Sequence, residues 1–350
     1  MPKLTLQNFT PIEPIAFSQR PSHSKLLAYR HNSTREIWLL KLFTSEYTEP
    51  EGRQTMNAYF SGVEAVMADV YRLIAGCEHA PEYRVVYDDG CENVIGVMTC
   101  YEENFKPLWP ESYDLRELTQ AGLAELLVIS YVFAEFDLNV NNIGTVSYGP
   151  GHLKLIKFDH DKCLWITTDK VYQNFNFLLT NADIKTFPIV NIFSPYNWLY
   201  WSRDNKQDSE VDGVFACSPK RVCQRLFAIA QVLSENEAFV HKKYKTLIKI
   251  AKLPRSVWKT LVDENVEHRD MNKDIYDAII KRVSALQEVL QNEPIAKHYT
   301  SISNTEIIDE LMVYNSTMDS LGQEDKKVKL NELQLNSTIF QVFSNDDEYS

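Results

Sequence analysis

The amino-acid sequence predicts a bilobal α+β fold, with a small β-rich lobe over residues 1–105, a largely helical lobe over 106–335 and an acidic tail over 336–350. Three observations carry this expectation. Strand-type runs surround a single helical stripe before residue 105, the prolines Pro107 and Pro110 punctuate the chain just after it, and helical periodicity prevails beyond residue 220.

Glu36 to Phe43 is an apolar run of bulky residues, which reads as a strand buried on both faces with Lys41 inside it. A buried lysine needs a partner. After a polar loop with Pro50 and Gly52, residues Phe60, Val63, Met67, Val70, Tyr71 and Ile74 recur at helical spacing, and Gly76 supplies a stop. Tyr83–Tyr87 and Val94–Cys100 read as two further strands, joined by the turn residues Asp88-Asp89-Gly90. Asn104 to Asp114 is the natural linker. Leu118 to Phe136 is almost wholly apolar and reads as one central helix of the second lobe. Ile143–Ser147 and Leu153–Phe158 flank Tyr148-Gly-Pro-Gly151, a hairpin signature. Asn345-Asp-Asp-Glu348 marks the tail.

With 350 residues, 44% hydrophobic and 24% charged, the chain is globular and long enough for one bilobal domain. No apolar run is long enough to span a bilayer and the opening MPKLTLQNFTPIEP lacks an apolar core, so a soluble, cytosolic working place is expected. The cysteines Cys77, Cys91, Cys100, Cys163, Cys217 and Cys223 are scattered without metal-ligand spacing, and are expected to be reduced thiols. A net charge of −12 argues against nucleic acid as a general partner. Yet residues 220–259 hold ten Lys/Arg against two Glu, a local +8. Within it Lys242, Lys245, Lys249 and Lys252 fall within about 80° on a helical wheel, opposite Val240, Tyr244, Leu247 and Ala251. Lysines without interleaved acids repel unless an anion lies across them, and Lys220, Arg221, Arg225 and Arg255 are placed to converge on one. The expected ligand is an inositol polyphosphate or a phosphoinositide headgroup, with peripheral membrane contact. A solvated face is the alternative.

Phosphoryl transfer needs a carboxylate toward the acceptor, a second residue to hold a metal, and an acid binding that metal across the phosphates. Asp137 and Asn142 stand in D-x-x-x-x-N spacing directly after the apolar helix, and Asp159 ends the hairpin that follows. The same residues also fit a helix C-terminal loop with Asn141 or Asn142 in left-handed geometry. Phe136-Asp137-Leu138 and Asn142-Ile143 resemble the catalytic loop of the protein-kinase superfamily. More closely, Glu135-x-Asp137-x4-Asn142-x-Gly144 followed by Lys157-Phe158-Asp159-His160-Asp161 is similar to divergent kinase-like effectors that Legionella bacteria inject into host cells. The resemblance implies a bacterial origin with delivery to the host cytoplasm, a host protein substrate, ATP, and Mg²⁺ or Mn²⁺. It makes Asp137 the base or acceptor-orienting carboxylate, with Asn142, Asp159 and Asp161 toward the metal. It also requires a strand lysine on the phosphates and a helix glutamate holding it. Lys41 and Glu64 fit, since Glu64 borders the apolar stripe while Asp69 points to the opposite side.

The departures from that family are specific. No G-x-G-x-x-G precedes Lys41; Pro21–Lys25 and His31–Thr34 are the candidate loops, so Lys25 or His23 is expected to help hold ATP. The loop's usual His and Arg are Glu135 and Phe136, so activation does not run through a phosphorylated loop read by that Arg. Lys157 reads as a solvated strand residue. The leading expectation is a protein Ser/Thr kinase with inositol hexakisphosphate as activator; the alternatives are a phosphoinositide or inositol-phosphate kinase, and a pseudokinase that binds a host partner or membrane.

Overall fold

A computed structural model describes residues 3–13, 24–43, 50–108, 114–135, 138, 142–147, 153–164, 179–190, 201–202, 220–291 and 304–328. Its N-terminal strands are β1 (Leu4–Thr5), β2 (Phe9–Pro11), β3 (Ser24–His31), β4 (Ile37–Phe43), β5 (Tyr83–Tyr87) and β6 (Val94–Cys100). They form a six-stranded sheet in the order β1-β5-β6-β4-β3-β2. β4 is paired on both edges and covered on both faces, and the covered faces are why it is apolar apart from Lys41. Alternation then sorts its side chains: Trp38 and Leu40 join Phe9, Val86 and Met98 on one face, while Lys41 and Phe43 turn to the other. β3 corrects the loop expected at Pro21–Lys25, since the backbone is already paired at Ser24 and Lys25, the latter opposite Leu42.

Helix α1 (Pro50–Ala75) crosses the second face of the sheet. It starts earlier than its apolar stripe suggests, with Pro50 at a position where a missing amide costs nothing. Every residue from Ser61 to Ile74 is buried. One face of α1 packs on the sheet and the rest on the helical part, so the helix runs through the core instead of lying on it.

The linker has structure of its own. Lys106–Pro107 forms an edge strand, β7, on a small sheet completed by β8 (Ile143–Ser147) and β9 (Leu153–Lys157). The single helix expected over Leu118–Phe136 is two, α2 (Leu115–Gln120) and α3 (Leu123–Val132). Gly122 breaks them at φ 105°, and a side chain there would meet the His79 ring at 2.3 Å. Beyond lie α4 (Asn181–Thr186), the paired strands β10 (Ile189–Val190) and β11 (Trp201–Ser202), then α5 (Lys220–Glu235), α6 (Glu237–Lys252), α7 (Arg255–Asn265), α8 (Arg269–Leu290) and α9 (Asn304–Ser320). α3 is buried almost throughout and forms the core with α1 and α6. Among the described residues no helix is long and apolar enough to cross a membrane. Cys77, Cys91, Cys100 and Cys163 are unbridged. The tail at 336–350 lies outside the described residues.

Candidate active site

Three elements deliver charge to one point. From β4, the Lys41 ammonium reaches Glu64 Oε2 of α1 at 2.9 Å, the Asp159 carboxylate just past β9, and Asp161 Oδ2 at 3.3 Å. Lys41 is also seated over the Phe43 ring, 4.8 Å from its centroid. The close approach of neighbouring backbone is part of the seat: a side chain at Gly96, on the adjacent strand β6, would meet the Lys41 carbonyl oxygen at 2.4 Å.

One ammonium faces three carboxylates, and the imbalance sets their protonation. Burial by itself would depress the Lys41 ammonium, but Asp159, Asp161 and Glu64 together raise it well above the usual lysine range. Burial pushes Glu64 up to about 8 even though it touches Lys41, because Asp159 and Asp161 compete for the same ammonium and repel its charge. Asp161 is raised by burial and by Asp159. Asp159 is the exception: against its burial, Lys41 and Lys157 hold it below the usual carboxylate range. The pair Lys41 and Glu64 is therefore a close contact whose proton count depends on what else the cluster holds.

Asp159 is set in place by its backbone. It lies in the left-handed region at φ 60°, a conformation that costs free energy in a residue other than glycine and marks a constrained position. Its amide donates to the Tyr83 hydroxyl at 3.2 Å, and its carbonyl accepts from Lys157 Nζ at 2.7 Å. Lys157 also donates to the Phe158 carbonyl at 2.5 Å and lies 3.4 Å from Glu135 Oε2, with both side chains fully buried. Lys157 is thus not the solvated strand residue expected from its position; it is an internal tie between the end of α3 and the Asp159 turn. Sequence reasoning missed it because alternation along a two-sided hairpin does not say which face is covered. Glu135 in turn accepts the Cys163 thiol at 3.0 Å. His160 packs between Tyr71 and Tyr83, with ring centroids at 4.8 and 5.5 Å. Burial and then Lys157 hold its imidazole well below the ordinary histidine range, so it is neutral.

Of the residues singled out in the sequence, Lys41, Glu64, Asp159 and Asp161 converge. Asn142 sits at the head of the hairpin beside them, its carbonyl accepting the Phe158 amide at 2.8 Å. Asp137 lies outside the described residues, between the end of α3 and the buried Leu138. The α3 end that precedes it is fixed by Arg282 of α8, which donates to the Val132 and Tyr131 carbonyls at 2.5 and 3.0 Å. The Lys25 side chain and His23 lie outside the described residues, as do the side chains of Lys220, Arg221 and Arg225, whose backbone opens α5.

The lysine stripe on α6 differs from its expectation. Lys242 pairs with Glu125 of α3 at 2.8 Å, and Lys245 and Lys249 both pair with Glu310 of α9 at 2.7 Å. Lys249 is only 3% exposed and also donates to the Ile74 carbonyl at the end of α1. Lys252 is buried, and Arg255 is exposed at the start of α7. The carboxylates that balance this stripe come from distant segments, so no external anion is needed to relieve its repulsion, and the ground for an inositol hexakisphosphate site here falls away.

A divalent cation fits the carboxylate cluster. Ligand oxygens of Glu64, Asp159 and Asp161 lie within 4.8 Å of one another, and Asp161 Oδ1 is buried with no hydrogen-bond partner. An oxygen-only set with excess negative charge suits Mg²⁺ or Mn²⁺.

No protein-family model and no curated protein sequence matches the chain. Among solved structures it superposes on the crystal structure of a Helicobacter pylori proinflammatory kinase, CtkA, with a TM-score of 0.46 and 12% identity, covering 87% of this chain and 100% of that one. A likeness of this size carries no argument about chemistry, which rests on the cluster around Lys41.

Proposed function

We propose that the protein is an ATP-dependent kinase that transfers the γ-phosphoryl group to a serine or threonine hydroxyl of another protein. The observation that carries this reading is the meeting of Lys41, Glu64 and Asp159 from a central strand, the helix behind it and a hairpin end. Phosphoryl transfer of this kind depends on a lysine and glutamate pair and a metal-binding aspartate being in place together. Glu64, Asp159 and Asp161 would hold Mg²⁺ or Mn²⁺, which when bound supplies neutralising charge across the β- and γ-phosphates. Lys41 offers its ammonium to the phosphates, and Glu64 keeps that ammonium aimed into the cleft. Asp137 orients the acceptor hydroxyl and takes its proton. A protein acceptor is preferred to a phosphorylated inositol because Lys242, Lys245 and Lys249, the residues expected to grip such a headgroup, are engaged by Glu125 and Glu310.

The test is incubation with labelled ATP and Mg²⁺ or Mn²⁺, scoring label on protein and on lipid. Label is expected on protein, and it disappears in both Asp159→Ala and Asp137→Ala. Calorimetry separates the two: Asp137→Ala keeps metal-dependent nucleotide binding and Asp159→Ala loses it. A wild-type protein that neither binds nucleotide with metal nor transfers label refutes the reading, and label on lipid alone reassigns the acceptor.

A further inference from the structure

Asp69 takes no part in the cluster around Lys41, yet it is among the most completely enclosed charges of the described residues, at 1% exposure. It stands five residues after Glu64 on α1, about 140° round the helix, so the two carboxylates act on opposite sides of one rod. Two of its partners come from far along the chain. Lys326 Nζ reaches Asp69 Oδ2 at 2.5 Å, Asn265 Nδ2 of α7 reaches the same oxygen at 2.8 Å, and Arg72 Nη1 lies 3.5 Å from Oδ1. Arg72 Nη1 also donates to Gln323 Oε1 at 3.4 Å.

Lys326 and Gln323 belong to the segment that follows α9. The chain turns at Gly322, φ 66°, and enters a short 3-10 turn, Glu324–Lys326. That turn is closed onto α9: the Tyr314 hydroxyl donates to the Lys326 carbonyl at 3.3 Å, and Asn315 both donates to the Val328 carbonyl at 2.7 Å and accepts its amide at 2.8 Å. The segment is therefore a preformed unit that presents one ammonium inward, 2% exposed, against α1. α9 makes a second tie to the same helix. Glu310 holds Lys249, whose ammonium donates to the Ile74 carbonyl in the last turn of α1.

We propose that residues 304–328 form a built-in brace for the active site, in which Lys326 acts through Asp69 to fix the rotation and depth of α1, and thereby the placement of Glu64 on Lys41. This rests on the kinase reading and extends it: Lys326 and Asp69 are positioning residues. Two segments 257 residues apart in sequence are joined at a carboxylate that is 1% exposed and whose other oxygen faces Arg72. Rotation of α1 would strip Asp69 of both strong donors at once, so the helix has one favoured setting.

The experiment uses the full chain and compares wild type with Asp69→Asn/Lys326→Met, which removes the buried Lys326–Asp69 pair together and leaves Arg72 the Gln323 oxygen and the new amide oxygen as acceptors. Each is made with native Glu64 and with Glu64→Gln. Two quantities are read: hydrogen exchange of α1 amides, without nucleotide, and affinity for a non-hydrolysable ATP analogue in Mg²⁺. The expected result is exchange at least tenfold faster along α1 with the hairpin Ile143–Lys157 unchanged, and at least tenfold weaker analogue binding. On the Glu64→Gln background the double change should weaken binding less than threefold, because the brace then has nothing to position. Equal losses on both backgrounds, or unchanged α1 exchange, overturn the proposal. Should the wild type bind no analogue in Mg²⁺, the kinase reading fails, and exchange confined to α1 still decides the brace. If the double variant does not fold, Tyr314→Phe, which removes the hydrogen bond to the Lys326 carbonyl, is expected to shift both readouts two- to threefold in the same direction, and no shift overturns the brace.

Discussion

Loading the carboxylate cluster with a divalent cation should expel a proton, and the number expelled can be worked out in advance. Glu64 is pushed up to about 8 by burial and by the competition of Asp159 and Asp161 for Lys41. At pH 7 it therefore carries a proton in about nine-tenths of the molecules, since one pH step is a tenfold ratio. A cation shared with Asp159 and Asp161 needs the ionised form, so binding should release about 0.9 proton from Glu64 at pH 7 and about 0.1 at pH 9. Asp161, also raised, adds to the count. Metal affinity should rise close to tenfold per pH step up to about 8, or about 1.4 kcal/mol per step, and level off above. The sign for the metal-free fold is opposite. A carboxyl raised on folding contributes stability below its unfolded value near 4.5 and loses it as pH rises through about 8, so saturating metal should flatten that decline. The assay is calorimetric titration with Mn²⁺ alone in two buffers of different ionisation heat, with Glu64→Gln as comparison. The variant should release about 0.9 fewer protons at pH 7. Release that is the same in wild type and Glu64→Gln would refute the reasoning.

Other perturbations test the packing around the site. Lys249→Glu should destabilise the fold by about 3–5 kcal/mol, because it sets a buried carboxylate against Glu310 and removes a donor from the Ile74 carbonyl; denaturant unfolding checks this. Lys243, 1% exposed and lowered to about 8 by burial, is charged in both states below pH 8, so wild-type stability relative to Lys243→Met should climb between pH 8 and 10.5; a flat difference would show the amine is not buried as described. Gly96→Ala places a methyl 2.4 Å from the Lys41 carbonyl, and is expected to cost about 1–3 kcal/mol in thermal or denaturant unfolding while weakening nucleotide binding in Mg²⁺.

Which of these features a reader of the sequence can see depends on the range over which their causes act. The pairing of Lys41 with Glu64 was legible because both signals are local: an apolar strand with one charge in it, and a helical stripe whose edge distinguishes Glu64 from Asp69. The ion pairs of the α6 stripe are hidden for the converse reason. Its neutralising partners Glu125 and Glu310 lie 117 and 61 residues away, so the region seems uncompensated when only its own residues are counted. Gly122 sits inside an otherwise unbroken apolar run, and only the His79 ring beside it shows why the helix must stop there. The left-handed turn at Asp159 and the buried Lys157 beneath it have no periodic signature, since both are imposed by the meeting of a hairpin with the end of α3.

The enclosure of α1 bears on which small molecules the site around Lys41 will accept. A compound that needs space behind Glu64 binds only the fraction of molecules in which the helix has moved, and its apparent affinity falls by that fraction. With every side chain from Ser61 to Ile74 buried, such movement requires opening the core, which places the competent fraction near that of partial unfolding. Compounds shaped to the site around Lys41 with α1 in place face no such loss. Screening against this protein should therefore yield compounds that fit the site with α1 in place, and a compound that depends on a displaced helix should spare it.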